Sequence, residues 1–211
     1  MTVFQTPAPI AADIEVALGT VTVIASDRDD TVVDIRPTDA AKKADVKAAE
    51  QLQVEFAGGV LSVALPKGRR LLGPGSGKGS VQVTVQVPSG SGLKGSLAVG
   101  EFRTAGAFGP IEVEVATADI VIGQAFAAVT AKAAKGDIIV EDAVRGVLRL
   151  DTSVGDLRIG IHPGSASRVE ANSPNGGVSN QLGAVDSAQE NVVEVYAHTA
   201  TGNVTVGNAT V

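Results

Sequence analysis

One unit of 18 to 20 residues recurs along this chain, and that recurrence constrains the fold more than any other feature. Five short stretches share a pattern: "VGEFRT", "TADIVI", "KGDIIV", "VGDLRI" and "TGNVTV". Each places a small residue at a turn, usually follows it with Asp, Glu or Asn, and then alternates. The turn residues are Gly100, Ala118, Gly136, Gly155 and Gly202; the first three are 18 apart and the next lies 19 further on.

The flanks align as well. After each turn come Phe102 and Thr104, Ile120 and Ile122, Ile138 and Val140, Leu157 and Ile159, Val204 and Val206. Before it come Ile111, Val113 and Val115, then Val129, Ala131 and Ala133, then Leu148, Leu150 and Thr152, and finally Val195, Ala197 and Thr199. The same register finds weaker copies around Gly19 and Gly176, seven in all. Alternation with a period of two means strands with one buried face.

A unit of this length is too short for the α-helical repeats, which need about 33 residues or more. It suits one coil of a β-solenoid, two strands and two turns, with successive coils paired in parallel about 4.8 Å apart. The rival is an antiparallel meander in which each "GD" is a hairpin tip. The solenoid is preferred because the whole unit recurs and not only the turn. Its core must be aliphatic, since aromatics are 3 % of the chain and Trp is absent. The 25 glycines fit repeated turns.

Residues 30 to 92 break the period. "TVVDIRP" reads as a strand, and "TDAAKKADVKAAEQL" as a short helix over about 39–51 with Thr38 or Asp39 as N-cap. "LQVEFAGGVLSVALP" reads as a hairpin turning at Gly58-Gly59, and "VQVTVQV" as a further strand. The expectation is one elongated all-β domain over 1–211. Within it, residues 1–95 are strand-rich and carry the helix, and residues 96–211 are the repeat coils.

The loop "GPGSGKGS" at 73–80 raises the question of phosphate binding. A Walker-type loop needs Gly, four residues, then Gly-Lys-Ser/Thr opening a helix. Here Lys78 precedes Gly79, Leu72 stands where the first glycine belongs, and a strand follows. The loop reads as a hairpin connection, and no cofactor is expected.

Asp119, Asp137 and Asp156 occupy one place in consecutive copies, and stacking makes them a ladder. Such carboxylates could gather a cation such as Ca²⁺, or each could satisfy its own turn. His162 and His198 lack metal-pair spacing and read as surface residues. No Ser-His-Asp order or Gly-x-Ser-x-Gly elbow is present, and no catalytic residue is expected. With no cysteine, disulfides and thiolate metal sites are excluded. The net charge of -6 argues against nucleic acid or an anionic membrane as partner. No apolar run approaches the ~18 residues of a membrane span. The N-terminus shows no signal-peptide pattern, so a cytoplasmic location is expected.

The "xGD" units, together with the closing "RVEANSPNGGVSNQLG" and "VEVYAHTATGNVTV", resemble a bacterial family of unknown function called putative adhesins, or β-strand-repeat proteins. The resemblance covers nearly the whole chain. It implies a β-solenoid without established catalytic activity. Three functions are weighed: a structural or protein-interaction scaffold able to self-assemble, a surface adhesin, and a polysaccharide-acting β-helix enzyme. The partner expected is a protein or a second copy of the chain. For self-association, the last coil, ending in "GNATV", is expected to offer an open edge.

Overall fold

The computed structural model describes residues 1–66, 79–182 and 191–209. Among them the protein is all-β apart from one helix. The elements in chain order are β1 (Thr2–Gln5), β2 (Ala11–Ser26), β3 (Asp30–Pro37), α1 (Lys43–Gln51), β4 (Gln53–Ala57), β5 (Val60–Ala64), β6 (Val81–Pro88), β7 (Gly92–Gly106) and β8 (Ile111–Ala125). They continue with β9 (Val129–Lys135), β10 (Ile138–Ala143), β11 (Gly146–Val154), β12 (Leu157–Ile161), β13 (Ala166–Asn172), β14 (Val178–Asn180), β15 (Val192–Thr201) and β16 (Val204–Asn208).

The repeat units lie in register on one another. β2 pairs in parallel with β7, and β7 with β8, so that Gly19 sits against Gly100 and Gly100 against Ala118. Beyond β8 the stack continues as two parallel ladders. One holds the strands before each turn, β8, β9, β11, β15 and β13. The other holds the strands after it, β8, β10, β12, β16 and β14. Such pairing rules out the antiparallel meander for the repeats.

Alternation decides what fills the interior. Ile14, Ile120, Ile138, Leu148 and Leu157 are fully buried, while neighbours one residue away are exposed or half-buried, except Val121, which is also covered. The same alternation puts Ala131 and Ala133 inside. Phe102 is the largest fully buried side chain among the described residues, and Gly95 makes room for it, because a Cβ there would overlap the Phe102 ring.

Three expectations are corrected. First, β5 and β6 are not hairpin partners across the 73–80 loop. They pair in parallel with the two halves of β2, β5 along Ala11–Ile14 and β6 along Gly19–Ser26. β5 and β6 therefore form a further repeat unit, and the repeats are not confined to 96–211. The long connection between Ala64 and Val81 hides its period. Residues 73–78 of the loop lie outside the described residues.

Second, the final unit is not at the end of the stack. β15 lies between β11 and β13, and β16 between β12 and β14. Both edges of β16 are paired, so the C-terminal unit has no open edge to offer. The outermost unit there is the Gly176 copy, β13 and β14.

Third, the helix starts at Lys43, and neither Thr38 nor Asp39 caps it. The Asp39 carboxylate instead accepts the N–H of Ala41 in a tight turn before the helix. The organising acid is Asp45, 4 % exposed, whose two oxygens accept the backbone N–H groups of Asp39 and Ser80 at 3.1 and 2.9 Å. It ties the first helical turn to the residue that leads into β6.

The other end of the stack is closed by antiparallel strands. β4 covers β5, β3 covers β6, and β1 covers β3. Phe4 and Phe56 meet there with ring centroids 5.3 Å apart, and Ala48, Ala49 and Leu52 pack on the core beside them. Among the described residues, no helix is long and apolar enough to cross a membrane.

Candidate functional site

The turn residues expected from the repeat meet at one corner of the stack. A Cβ on Gly100 would overlap the carbonyl oxygen of Gly19; one on Gly155 would overlap that of Gly136, and one on Gly202 that of Gly155. Gly136 meets the carbonyl of Ala118 in the same way. These glycines also have φ between +138° and +152°, a region costly for other residues. The corner therefore needs glycine for contact as well as for backbone freedom. Ala118 keeps a negative φ and bends without it. Gly176 faces Gly202, not Gly155, which reflects the exchanged order of the last two units.

The three aspartates do stack, and their geometry is specific. Asp119 Oδ1 accepts the N–H of Asp137, and Asp137 Oδ1 accepts the N–H of Asp156, each at 2.8 Å. Asp156 Oδ1 accepts the N–H of Asn203 at 2.8 Å, and Asn203 Oδ1 accepts that of Gly177 at 3.0 Å. Each side chain thus satisfies the backbone of the adjacent unit. The expectation that each would satisfy its own corner is changed in that respect. Among the described residues, no three His, Asp or Glu side chains converge as metal ligands.

A second set of bonds completes the corner. Thr152 Oγ1 donates to the carbonyl of Gly136, Thr199 Oγ1 to that of Gly155, and Ser173 Oγ to that of Gly202. Sequence reasoning placed Thr152 and Thr199 among the inward residues and missed the role of these hydroxyls. The signal was present, since Thr or Ser stands three residues before the corner glycine in each of these copies. A buried threonine without a partner is costly, so its recurrence at one register position implies a shared acceptor. Together these bonds leave the corner structural.

The outward face of the β9–β11–β15–β13 ladder is different. In-register pairing lines up Lys132, Asp151, His198 and Asn172 in one row, and Thr130, Arg149, Tyr196 and Glu170 in the next. They border a shallow groove of about 540 Å³. The Arg149 guanidinium lies 5.5 Å over the centroid of Tyr196, the chain's single tyrosine. The Tyr196 hydroxyl reaches Glu194 Oε2 at 3.4 Å. Tyr196 and His198 flank the buried Ala197, so both point outward, as the alternation predicts for His198. His162 lies elsewhere, partly exposed, with Nδ1 at 2.8 Å from Asp142 Oδ1.

No family model matches the chain, and neither does any curated protein. Solved structures do. A structure described as a putative cell adhesion protein from Clostridium sporogenes aligns over 98 % of this chain and 98 % of its own, at 10 % identity and a TM-score of 0.50. A putative adhesin from Bacteroides fragilis aligns over 97 % and 95 %, at 10 % identity and a TM-score of 0.45. The chain shares the fold of the first, and the resemblance noted in the sequence to bacterial putative adhesins is met at that level.

Proposed function

We propose that this chain is a non-catalytic β-solenoid that serves as an adhesion module, with the groove around Tyr196 as its contact surface. Each repeat unit is one coil in this reading. The parallel registers that join every unit to the next support it. So does the fold shared with the cell adhesion protein from Clostridium sporogenes.

The observation that carries the adhesive role is the side-chain set on the outward face. Tyr196, Arg149 and His198 stand in adjacent positions on a flat, solvent-facing ladder, bordered by Asp151 and Glu170. Tyr and Arg are the residues that most often carry the energy of protein contacts. An in-register parallel sheet holds them rigidly, so little conformational freedom is lost on binding. The ligand in this reading is a macromolecule on another surface, bound in the open groove.

The test immobilises the full chain and measures capture of intact cells, with glycan and matrix-protein arrays beside it. Tyr196→Ala and Arg149→Ala should each lower capture about tenfold, on the scale of a moderate contact residue. Thr205→Ala, on the other ladder, should leave it unchanged. Absence of capture, or equal capture by all variants, would overturn the adhesive role. The reading also requires display outside the cell, against the cytoplasmic location expected from the N-terminus. Protease treatment of intact producing cells should remove the protein.

A further inference from the structure

The outermost strand of the stack, β13, carries the sequence "ASRVEAN" with Val169 at its centre. Its inner edge is bonded to β15, beginning with Ala166 N–H to the carbonyl of Asn191 at 2.9 Å. Along a strand, alternate residues send their backbone groups to opposite edges. Ser167, Val169 and Ala171 therefore turn theirs to the outer edge, where no strand pairs with them among the described residues. Val169 and Ala171, inward by pattern, are only partly covered, and Val178 at the same end is 50 % exposed. At the opposite end the corresponding edges carry β4 and β3.

We propose that β13 pairs with β13 of a second copy of this chain, antiparallel, about a two-fold axis through Val169. Three features of the strand fit that occupant. The axis sets Val169 opposite Val169 and Ser167 opposite Ala171, the residues whose N–H and C=O groups face outward, so a regular antiparallel ladder forms without a shift of register. It sets Arg168 of each copy opposite Glu170 of the other. Both side chains are exposed, at 74 % and 56 %, and in one copy they reach each other at 3.3 Å. Opposite charges across a strand pair stabilise it, and like charges destabilise it. Finally, the pairing is isologous, so it closes as a dimer and does not propagate into a fibre. This inference rests on the strand edge and not on the adhesive reading; Glu170 also borders the Tyr196 groove, so the test reads mass and not capture.

The experiment is sedimentation of the full chain over a range of concentrations. The mass should rise from 21.2 kDa toward twice that value. Glu170→Arg places Arg opposite Arg168 twice in the dimer, and should raise the midpoint concentration at least about tenfold. Arg168→Glu should do the same by setting Glu opposite Glu170. The double exchange, Arg168→Glu with Glu170→Arg, should restore dimerisation. Both positions are exposed, and an unchanged melting temperature at a dilution where every variant is monomeric confirms that each is folded. A strict monomer at high concentration would overturn the proposal. So would dimers equally strong in all variants, or single exchanges that the double exchange fails to rescue.

Discussion

The Asp156 carboxylate accepts the backbone N–H of Asn203 at 2.8 Å, although 47 residues separate them in the chain. The equivalent bond from Asp119 to Asp137 spans 18 residues. The same corner contact is therefore made by neighbours in space whether or not they are neighbours in sequence. It depends on an oxygen at one position and not on charge. Asp156→Asn keeps that oxygen and should change the melting temperature little. Asp156→Ala leaves the Asn203 N–H without its acceptor and should cost about 1–2 kcal/mol. At this chain length that is a fall of roughly 2–8 °C, read by calorimetry.

The corner glycines should tolerate no side chain. At Gly155 a Cβ would overlap the carbonyl of Gly136, and φ is +152°. Gly155→Ala forces backbone to move and should cost more than about 2 kcal/mol. Gly58 also has positive φ, +60°, but a Cβ there meets nothing within 4 Å. Gly58→Ala should cost only about 1 kcal/mol, the penalty of the left-handed region alone. Equal losses in urea melts would mean that close contact plays no part.

The two faces of β10 should respond differently to charge. Ile138 is fully buried and Ile139 half-buried on the outward face. Ile138→Asp puts an unpaired carboxylate in the core and should prevent folding. Ile139→Asp should leave a cooperative transition, lowered by about 1 kcal/mol, the usual scale of a single substitution. Circular dichroism melts of the two variants compare them directly.

Asp45 should matter more than its place on a short helix suggests. It is buried, and both oxygens accept backbone N–H groups. Asp45→Ala orphans the N–H groups of Asp39 and Ser80 and should cost about 1–3 kcal/mol. Hydrogen exchange should rise first at these two amides, ahead of those in β7 and β8.

The period and the face of each strand were legible because alternation is written into every unit. Val, Ile and Leu recur at the same offsets from Gly100, Ala118, Gly136 and Gly155, and each is buried as its offset requires. The hairpin at Gly58-Gly59 was legible too, and β4 pairs with β5 across it. The stacking order at the ends was not. Every unit offers the same face and the same backbone ladder to its neighbours, so pattern alone cannot tell which unit follows which. That choice is made by the connections, and here two of them pass over a neighbour. The unit at 60–88 was missed for a related reason, since the chain between Ala64 and Val81 is too long for the period to survive. In the Tyr196 groove, alternation marked His198 as outward. It marked Arg149 and Tyr196 as outward too, but gave no sign that they meet, because 47 residues separate them and only the exchanged order brings them together.

The insertion of β15 and β16 between units built earlier sets the order in which the molecule can be completed. β13 and β14 are synthesised before the two strands that join them to β11 and β12. Until residues 192–208 arrive, the strands β13 and β14 have no ladder to lean on. The final order therefore cannot be reached by adding one unit after another in chain order. The last strand pair has to come to lie between two units made before it and bond to both, like a keystone set into an arch.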